Sequence, residues 1–136
     1  MRRSRVFVVD DSTASVIAIR LAISRDNALE YVGSAQDAKE ALDRCRNVEA
    51  DVITLDLNMP NDDGLEMLVA IKAACHAPVV VVSASTYEGS PAVAEALIRG
   101  ADACFDKRQV LSHVNAFLAV LRAAAQIPSS PLETAK

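Results

Sequence analysis

At 136 residues the chain has room for one domain and little beyond it. Its hydrophobic share of 51% comes in short runs, enough for a real core, which excludes wholesale disorder. A formal net charge of -4 argues against binding driven by attraction to nucleic acid or anionic lipid. The three cysteines, Cys45, Cys75 and Cys104, are an odd number at wide spacing, without a CxxC pair or a Cys/His cluster. Neither a disulfide framework nor a zinc site is expected from them, and reduced thiols are. Arg2, Arg3 and Arg5 ahead of Val6–Val9 resemble the start of a secretory segment, but the apolar run stops at Asp10. No stretch approaches the ~20 apolar residues of a membrane span. A soluble, cytoplasmic protein without a membrane partner is the expectation.

Along the chain, short β-branched runs alternate with longer amphipathic stretches. Val6–Val9 reads as a buried strand closed by two aspartates. Ser12 or Thr13 caps a helix carrying Val16, Ile17, Leu21 and Ile23. Glu30–Ala35 is a second, weaker strand. Asp37 caps the next helix, where Ala38, Ala41, Leu42 and Cys45 share one face. Asp51–Leu55 is a third strand, followed by Asp56-Leu57-Asn58-Met59-Pro60. The turn Asn61-Asp62-Asp63-Gly64, whose residue types tolerate positive φ, leads into a helix with Leu65, Leu68, Val69 and Ile71. Pro78–Val82 is nearly pure valine and suits a strand covered on both faces. Ser83–Pro91 is a polar loop, Pro91 opens a helix through Leu97, and Gly100 ends it. Ala103–Asp106 is the last strand. Val110, Val114, Phe117, Leu118 and Leu121 then mark what reads as the longest amphipathic helix. From Ile127 the residues suggest a frayed tail. Five strand–helix alternations predict an α/β fold, a five-stranded doubly wound parallel sheet. In such a sheet the functional crevice lies beyond the carboxyl ends of the strands.

Those ends carry Asp10-Asp11, Asp56, Ser83 and Asp106-Lys107. Taken singly, each has a structural reading: a helix cap, a turn residue, a structural hydroxyl, a solvated lysine. Their coincidence at successive strand ends points to one site instead. Carboxylates a few ångströms apart repel unless a proton or a cation intervenes. Oxygen donors without His or Cys suit a hard cation, Mg²⁺ above all, and a backbone carbonyl of the Asp56–Asn58 turn can complete its shell. An aspartate beside such a cation can attack a phosphoryl group, while the lysine screens the phosphoryl charge. A serine hydroxyl can then bond the new phosphate and bias a loop, which describes a switch and not a turnover enzyme.

The ordered set Val-Val-Asp10-Asp11-Ser, Asp56-Leu-Asn-Met-Pro60-x-x-x-Gly64, Val-Val-Ser83-Ala84 and Gly100-Ala101 through Lys107 resembles the receiver domain of two-component response regulators, over about residues 4–125. The resemblance implies a flavodoxin-like strand order 2-1-3-4-5, with a receiver domain over residues 1–125 and a flexible tail over 126–136. It implies phosphorylation of Asp56, with Asp11, Asp56 and the Asn58 backbone carbonyl on Mg²⁺ and Asp10 acting through a metal-bound water. Ser83 would be the switch hydroxyl and Lys107 the phosphate partner. The donor would be a sensor histidine kinase or a histidine phosphotransfer protein.

Three departures stand out. Arg108 occupies the place where proline commonly follows the lysine. Cys104 occupies the switch-aromatic position, leaving Phe105 or Tyr87 as substitutes. The stretch from Ser83 to Lys107 is two residues longer than in the compact chemotaxis regulator, and its Tyr87-Glu88-Gly89-Ser90 is more like the receiver of chemotaxis methylesterases. With no output module evident, a stand-alone receiver is expected, acting by contact with a downstream protein or as a phosphorelay intermediate or sink. A weak or phosphorylation-dependent homodimer is left open, and no nucleic-acid partner is expected. The alternative is a docking module that never takes phosphate. A flavin carrier fits poorly because Asp10-Asp11 would repel a phosphate, and the Asp-x-Asp of aspartate-nucleophile phosphatases is absent.

Overall fold

The structure is a computed structural model that describes residues 2–126, so the expected tail lies outside the described residues from 127 onward. The strands are β1 (Ser4–Val9), β2 (Leu29–Ala35), β3 (Val52–Leu55), β4 (Val79–Ser83) and β5 (Ala103–Asp106). They alternate with helices α1 (Thr13–Ile23), α2 (Ala38–Val48), α3 (Gly64–Cys75), α4 (Pro91–Ile98) and α5 (Val114–Ala124). All four strand pairings are parallel, in the order β2-β1-β3-β4-β5. After β1 the chain winds one way to β2 and then crosses back to β3. The crevice between the carboxyl ends of β1 and β3 is therefore the switch point.

Residue alternation along each strand divides the core into two layers. Val6, Val8, Val52, Val80 and Val82 pack with Ile19, Ile23, Phe117 and Leu121 beneath α1 and α5. Phe7, Val9, Ile53, Leu55, Val79 and Val81 pack with Ala41, Leu68, Ile71 and Ala96 beneath α2, α3 and α4. Covering both faces is why β3 and β4 are buried along their whole length, the polar Thr54 and Ser83 included.

The helix starts follow the capping chemistry visible in the sequence. The Ser12 hydroxyl accepts from Ser15 N, and the Asp37 carboxylate accepts from Glu40 N. Asp63 accepts from both Leu65 N and Glu66 N, so α3 starts at Gly64 itself. In the preceding turn the positive φ falls on Asn61, at 66°. Gly64 serves a different need: a Cβ there would lie inside the Leu57 backbone, so only glycine allows α3 to pack that close to the loop after β3.

Several expectations are corrected. In α1 the buried face is Ile19, Ala22 and Ile23, while Ile17 and Leu21 are about half exposed. In α3 it is Gly64, Met67, Leu68 and Ile71, with Val69 outside it. A flat sheet covers one stripe of a helix, and an apolar residue one step around lies beyond its reach. Val110 is buried but precedes α5, following a 3-10 turn over Lys107–Gln109. At 11 residues α5 is shorter than the 12-residue α3.

The expectation of three reduced thiols is also overturned. Cys45 on α2 and Cys75 at the end of α3 form a disulfide, with Cα atoms 5.8 Å apart, and Cys104 alone is free. Sequence spacing hid the pair, because the two cysteines are 30 residues apart, on helices that the parallel winding makes neighbours on one face of the sheet. The bridge encloses β3 and the turn that follows it. Denatured without reductant, the protein is expected to show one titratable thiol, and three after reduction. Cys75→Ser should lower the unfolding free energy by about 3–4 kcal/mol, the loop-closure value for a link of this span, read from urea melts of the oxidised protein.

Candidate functional site

Three aspartates, a lysine and a group of hydroxyls meet at the switch point. Asp10 directly follows β1, Asp56 follows β3, and Lys107 follows β5; all three lie one residue past a strand end. The Lys107 Nζ donates to Asp10 Oδ2 at 2.9 Å and to Asp56 Oδ2 at 2.8 Å. The other oxygen of each carboxylate accepts from the main chain, Asp10 Oδ1 from Ser12 N at 2.9 Å and Asp56 Oδ1 from Asn58 N at 3.1 Å. These bonds fix both side chains without any helix or strand hydrogen bond being spent on them. Asp10 and Asp56 are almost fully buried, at 1% and 3% exposure, whereas Asp11 is exposed.

The electrostatics follow from that burial. Burial pushes the Asp10 carboxyl above its usual value; the Ser12 N–H and the Lys107 ammonium oppose the rise, and the Asp56 charge adds to it. Burial pulls Lys107 the other way, toward losing its proton. Its hydrogen bonds to Asp56 and Asp10 outweigh that and hold the ammonium above the ordinary lysine range. Ligand oxygens of Asp10, Asp11 and Asp56 all lie within 4.8 Å of one another, three carboxylates against one ammonium. The set is short of positive charge, and every donor is a hard oxygen, which fits a divalent cation of the Mg²⁺ type and not a thiolate or imidazole metal.

Ser83 ends β4 with its side chain fully buried. Its Oγ accepts from Asn58 Nδ2 at 2.9 Å and lies 3.2 Å from Ser85 Oγ. Thr86, missed from the sequence, ties this loop to the sheet: its Oγ1 accepts from Ser83 N at 3.2 Å and donates to the Phe105 carbonyl at 2.8 Å. The run of hydroxyls from Ser83 to Thr86 was the available signal. The side chains of Asn58 and Ser85 were missed as well, since nothing in spacing says that the turn after β3 reaches the loop after β4.

The three positions considered for a switch aromatic are dispersed. Cys104 packs partly buried on the α4 side of the sheet, where burial raises its thiol pKa. Phe105 points to the opposite face, its ring 5.2 Å from that of Phe117. Tyr87 is 47% exposed, with the Arg108 guanidinium 5.8 Å above its ring. Arg108, in the place of the expected proline, grips Asp106 through Nε and NH2, both at 3.0 Å. That grip lowers the Asp106 pKa and clamps the end of β5 beside Lys107.

A doubly wound parallel sheet with an acidic triad and a lysine at its switch point is the architecture of a signalling receiver. The sequence profile of the response regulator receiver domain matches residues 6–118, and the chain belongs to that family. A protein-glutamate methylesterase/protein-glutamine glutaminase of Geobacter sulfurreducens is 40% identical over 100 residues, 74% of this chain but 28% of that protein. The chain thus aligns with well under half the length of that curated relative. In structure it is similar to the response regulator domain of Thermotoga maritima CheB, with a TM-score of 0.83 and 32% identity, covering 93% of this chain and 99% of that one. It is also similar to the structure described as the P1 domain of CheA3 in complex with CheY6 from R. sphaeroides, at TM-score 0.76 and 28% identity, covering 91% and 98%. The likeness extends to the signal receiver domain of NarL from Mycobacterium tuberculosis, at TM-score 0.75 and 29% identity, covering 91% and 98%, and the strand order 2-1-3-4-5 agrees with the expectation. No helix among the described residues is long and apolar enough to cross a membrane.

Removing the ammonium leaves two buried carboxylates facing each other. Lys107→Ala is therefore expected to cost about 3 kcal/mol of unfolding free energy at neutral pH without divalent cations. Adding Asp56→Asn should recover part of that loss, because it removes one of the opposed charges. A double-mutant cycle by urea denaturation measures both effects.

Proposed function

We propose that Asp56 accepts a phosphoryl group, in a Mg²⁺-dependent reaction, from a phosphohistidine of a sensor histidine kinase or histidine phosphotransfer protein. The observation that carries this reading is the single Lys107 ammonium held by both Asp10 and Asp56 beside the exposed Asp11. An Asp56 carboxylate oxygen forms the new O–P bond as the P–N bond to imidazole breaks, and the imidazole nitrogen keeps the electron pair. Asp11, Asp56 and the Asn58 backbone carbonyl would hold Mg²⁺, with Asp10 engaging it through water. Bound there, the cation would neutralise charge on the phosphoryl oxygens.

The chain's own residues supply the rest. Asn58 N–H orients the Asp56 carboxylate. Lys107, already bonded to Asp56, screens the phosphoryl oxygens without having to travel. The Ser83 hydroxyl, on the adjacent strand end, is the candidate to bond the phosphoryl group and carry the change into the loop before α4. This is phosphoacceptor chemistry with one modification per cycle, not turnover of a substrate. The architecture supports residues 1–125 as the working receiver. Output by contact with a downstream protein, or passage of the phosphoryl group along a relay, fits the formal net charge of -4, which disfavours a nucleic-acid partner. The same partners imply a cytoplasmic site of action, where the Cys45–Cys75 bridge would be exposed to reducing thiols.

Incubation with a small acyl phosphate or phosphoramidate and Mg²⁺ should add one phosphoryl group by intact mass, and none in Asp56→Asn. No adduct on either protein, with the fold retained, would favour a docking module that never takes phosphate. For the cation, saturating Mg²⁺ should raise the melting temperature of the unmodified protein. Asp11→Ala should lose that rise; an equal rise in both proteins removes Asp11 from the shell.

A further inference from the structure

The Ser83 hydroxyl is committed elsewhere in this structure. It is fully buried, accepts from Asn58 Nδ2 at 2.9 Å, and pairs with Ser85 Oγ at 3.2 Å. Asn58 Nδ2 also reaches Ser85 Oγ at 3.3 Å, so the three groups close a ring. Among the described residues no hydrogen bond joins Ser83 Oγ to Asp56 or to Lys107. Either hydroxyl can be the donor of that contact; with Ser83 donating, its one proton is spent on Ser85 and none is left for an oxygen on the Asp56 side.

The two ends of the ring are anchored differently. Asn58 is held at its main chain by the Asp56 carboxylate, 3.1 Å from its N–H, so its carboxamide projects from a fixed point beside the acceptor. Ser85 belongs to the loop that leads to α4, and its carbonyl accepts from Ser90 Oγ at 2.7 Å. Ser90 is the residue at the N-cap of α4, and its hydroxyl makes no cap bond because it is spent on Ser85. The ring therefore links the turn after β3 to the start of α4. It sits at a cleft of about 290 Å³ that Leu57, Asp63, Gly64 and Ala92 also line.

We propose that the Asn58 carboxamide and the Ser85 hydroxyl form a latch that holds the Ser83 hydroxyl away from Asp56 in the resting protein. They are positioning residues acting through Ser83. The proposal rests on the phosphoacceptor reading of Asp56. The latch stabilises the resting arrangement by the net value of one or two hydrogen bonds, and engaging a phosphoryl group must overcome that hold before Ser83 can turn. Releasing Ser83 also frees Ser85, and with it the Ser90 contact at the start of α4, which gives the site a route to the surface that needs no aromatic side chain.

The test is binding of beryllofluoride, a phosphoryl mimic, in the presence of Mg²⁺. Asn58→Ala keeps the backbone carbonyl and deletes only the carboxamide. It should bind the mimic about 2- to 12-fold more tightly than wild type, the range set by losing one ordinary hydrogen bond from the resting state. Ser85→Ala should move affinity in the same direction, and Ser85→Thr, which keeps the hydroxyl, should restore the wild-type value. In a Ser83→Ala background Asn58→Ala should change nothing, which a merely structural role for Asn58 would not produce. As a readout free of the mimic, the Asn58 side-chain amide protons should exchange slowly with solvent in metal-free wild type and faster in Ser83→Ala. Weaker or unchanged binding by Asn58→Ala, or the same gain with and without Ser83, overturns the latch alone. Failure of wild type to bind the mimic, or equal binding by Asp56→Asn, overturns the phosphoacceptor reading and the latch with it.

Discussion

The Lys107 ammonium, bonded to Asp10 and Asp56 together, ties the carboxyl ends of β1, β3 and β5 into one site. Without that bridge, two nearly buried carboxylates would stand on adjacent strands with only main-chain N–H groups to oppose their charge. The burial that makes them costly is inseparable from the fold, because the sheet is covered on both faces and the two carboxylates sit at neighbouring strand ends between those layers. The balance is incomplete by design of the charges: Asp11 adds a third carboxylate, and one lysine cannot offset three. A site short of positive charge favours a divalent cation, and under the proposed reading the cation and the lysine together would meet the negative charge of a phosphoryl group.

The remaining architecture serves to keep this arrangement still on one side and adjustable on the other. On the β1–β3 side the parts are fixed: Ser12 and Asp63 cap their helices, Gly64 lets α3 press on the Leu57 backbone, and the Cys45–Cys75 bridge closes the segment that carries Asp56. On the β4–β5 side the contacts are hydroxyl hydrogen bonds through Ser83, Ser85, Thr86 and Ser90, each worth little on its own and replaceable by a competing oxygen. Rigid support beneath the proposed acceptor and exchangeable bonds beside it fit the proposed role of registering a covalent change. Arg108 lies on the same side but clamps Asp106 by a two-point ion pair, with its guanidinium over the exposed Tyr87 ring.

Much of the fold was legible because its signals are local. Strand runs of β-branched residues, caps at Ser12 and Asp37, the turn before α3, Pro91 opening α4 and Gly100 closing it are each readable within a few residues. Strand alternation with helices then leaves few topologies, and the right-handed crossover rule leaves fewer. The helix faces were read less well: Ile17, Leu21 and Val69 are apolar yet lie outside the buried stripes, because the boundary of a stripe depends on where the sheet meets the helix.

The sequence by itself determined the succession of strands and helices along the chain and the placing of Asp10, Asp11, Asp56, Ser83 and Lys107 at the strand ends, because a strand's end and the residue after it are properties of a short stretch of chain. Only the tertiary structure decided that Lys107 bonds both Asp10 and Asp56, that Asn58 reaches across to Ser83 and Ser85, and that Cys45 meets Cys75. Those contacts join residues from different β–α units, and their distances depend on sheet twist, crossover length and helix packing acting together. No local pattern encodes that sum, which is why the residues of the site could be named from the chain while the bonds between them could not.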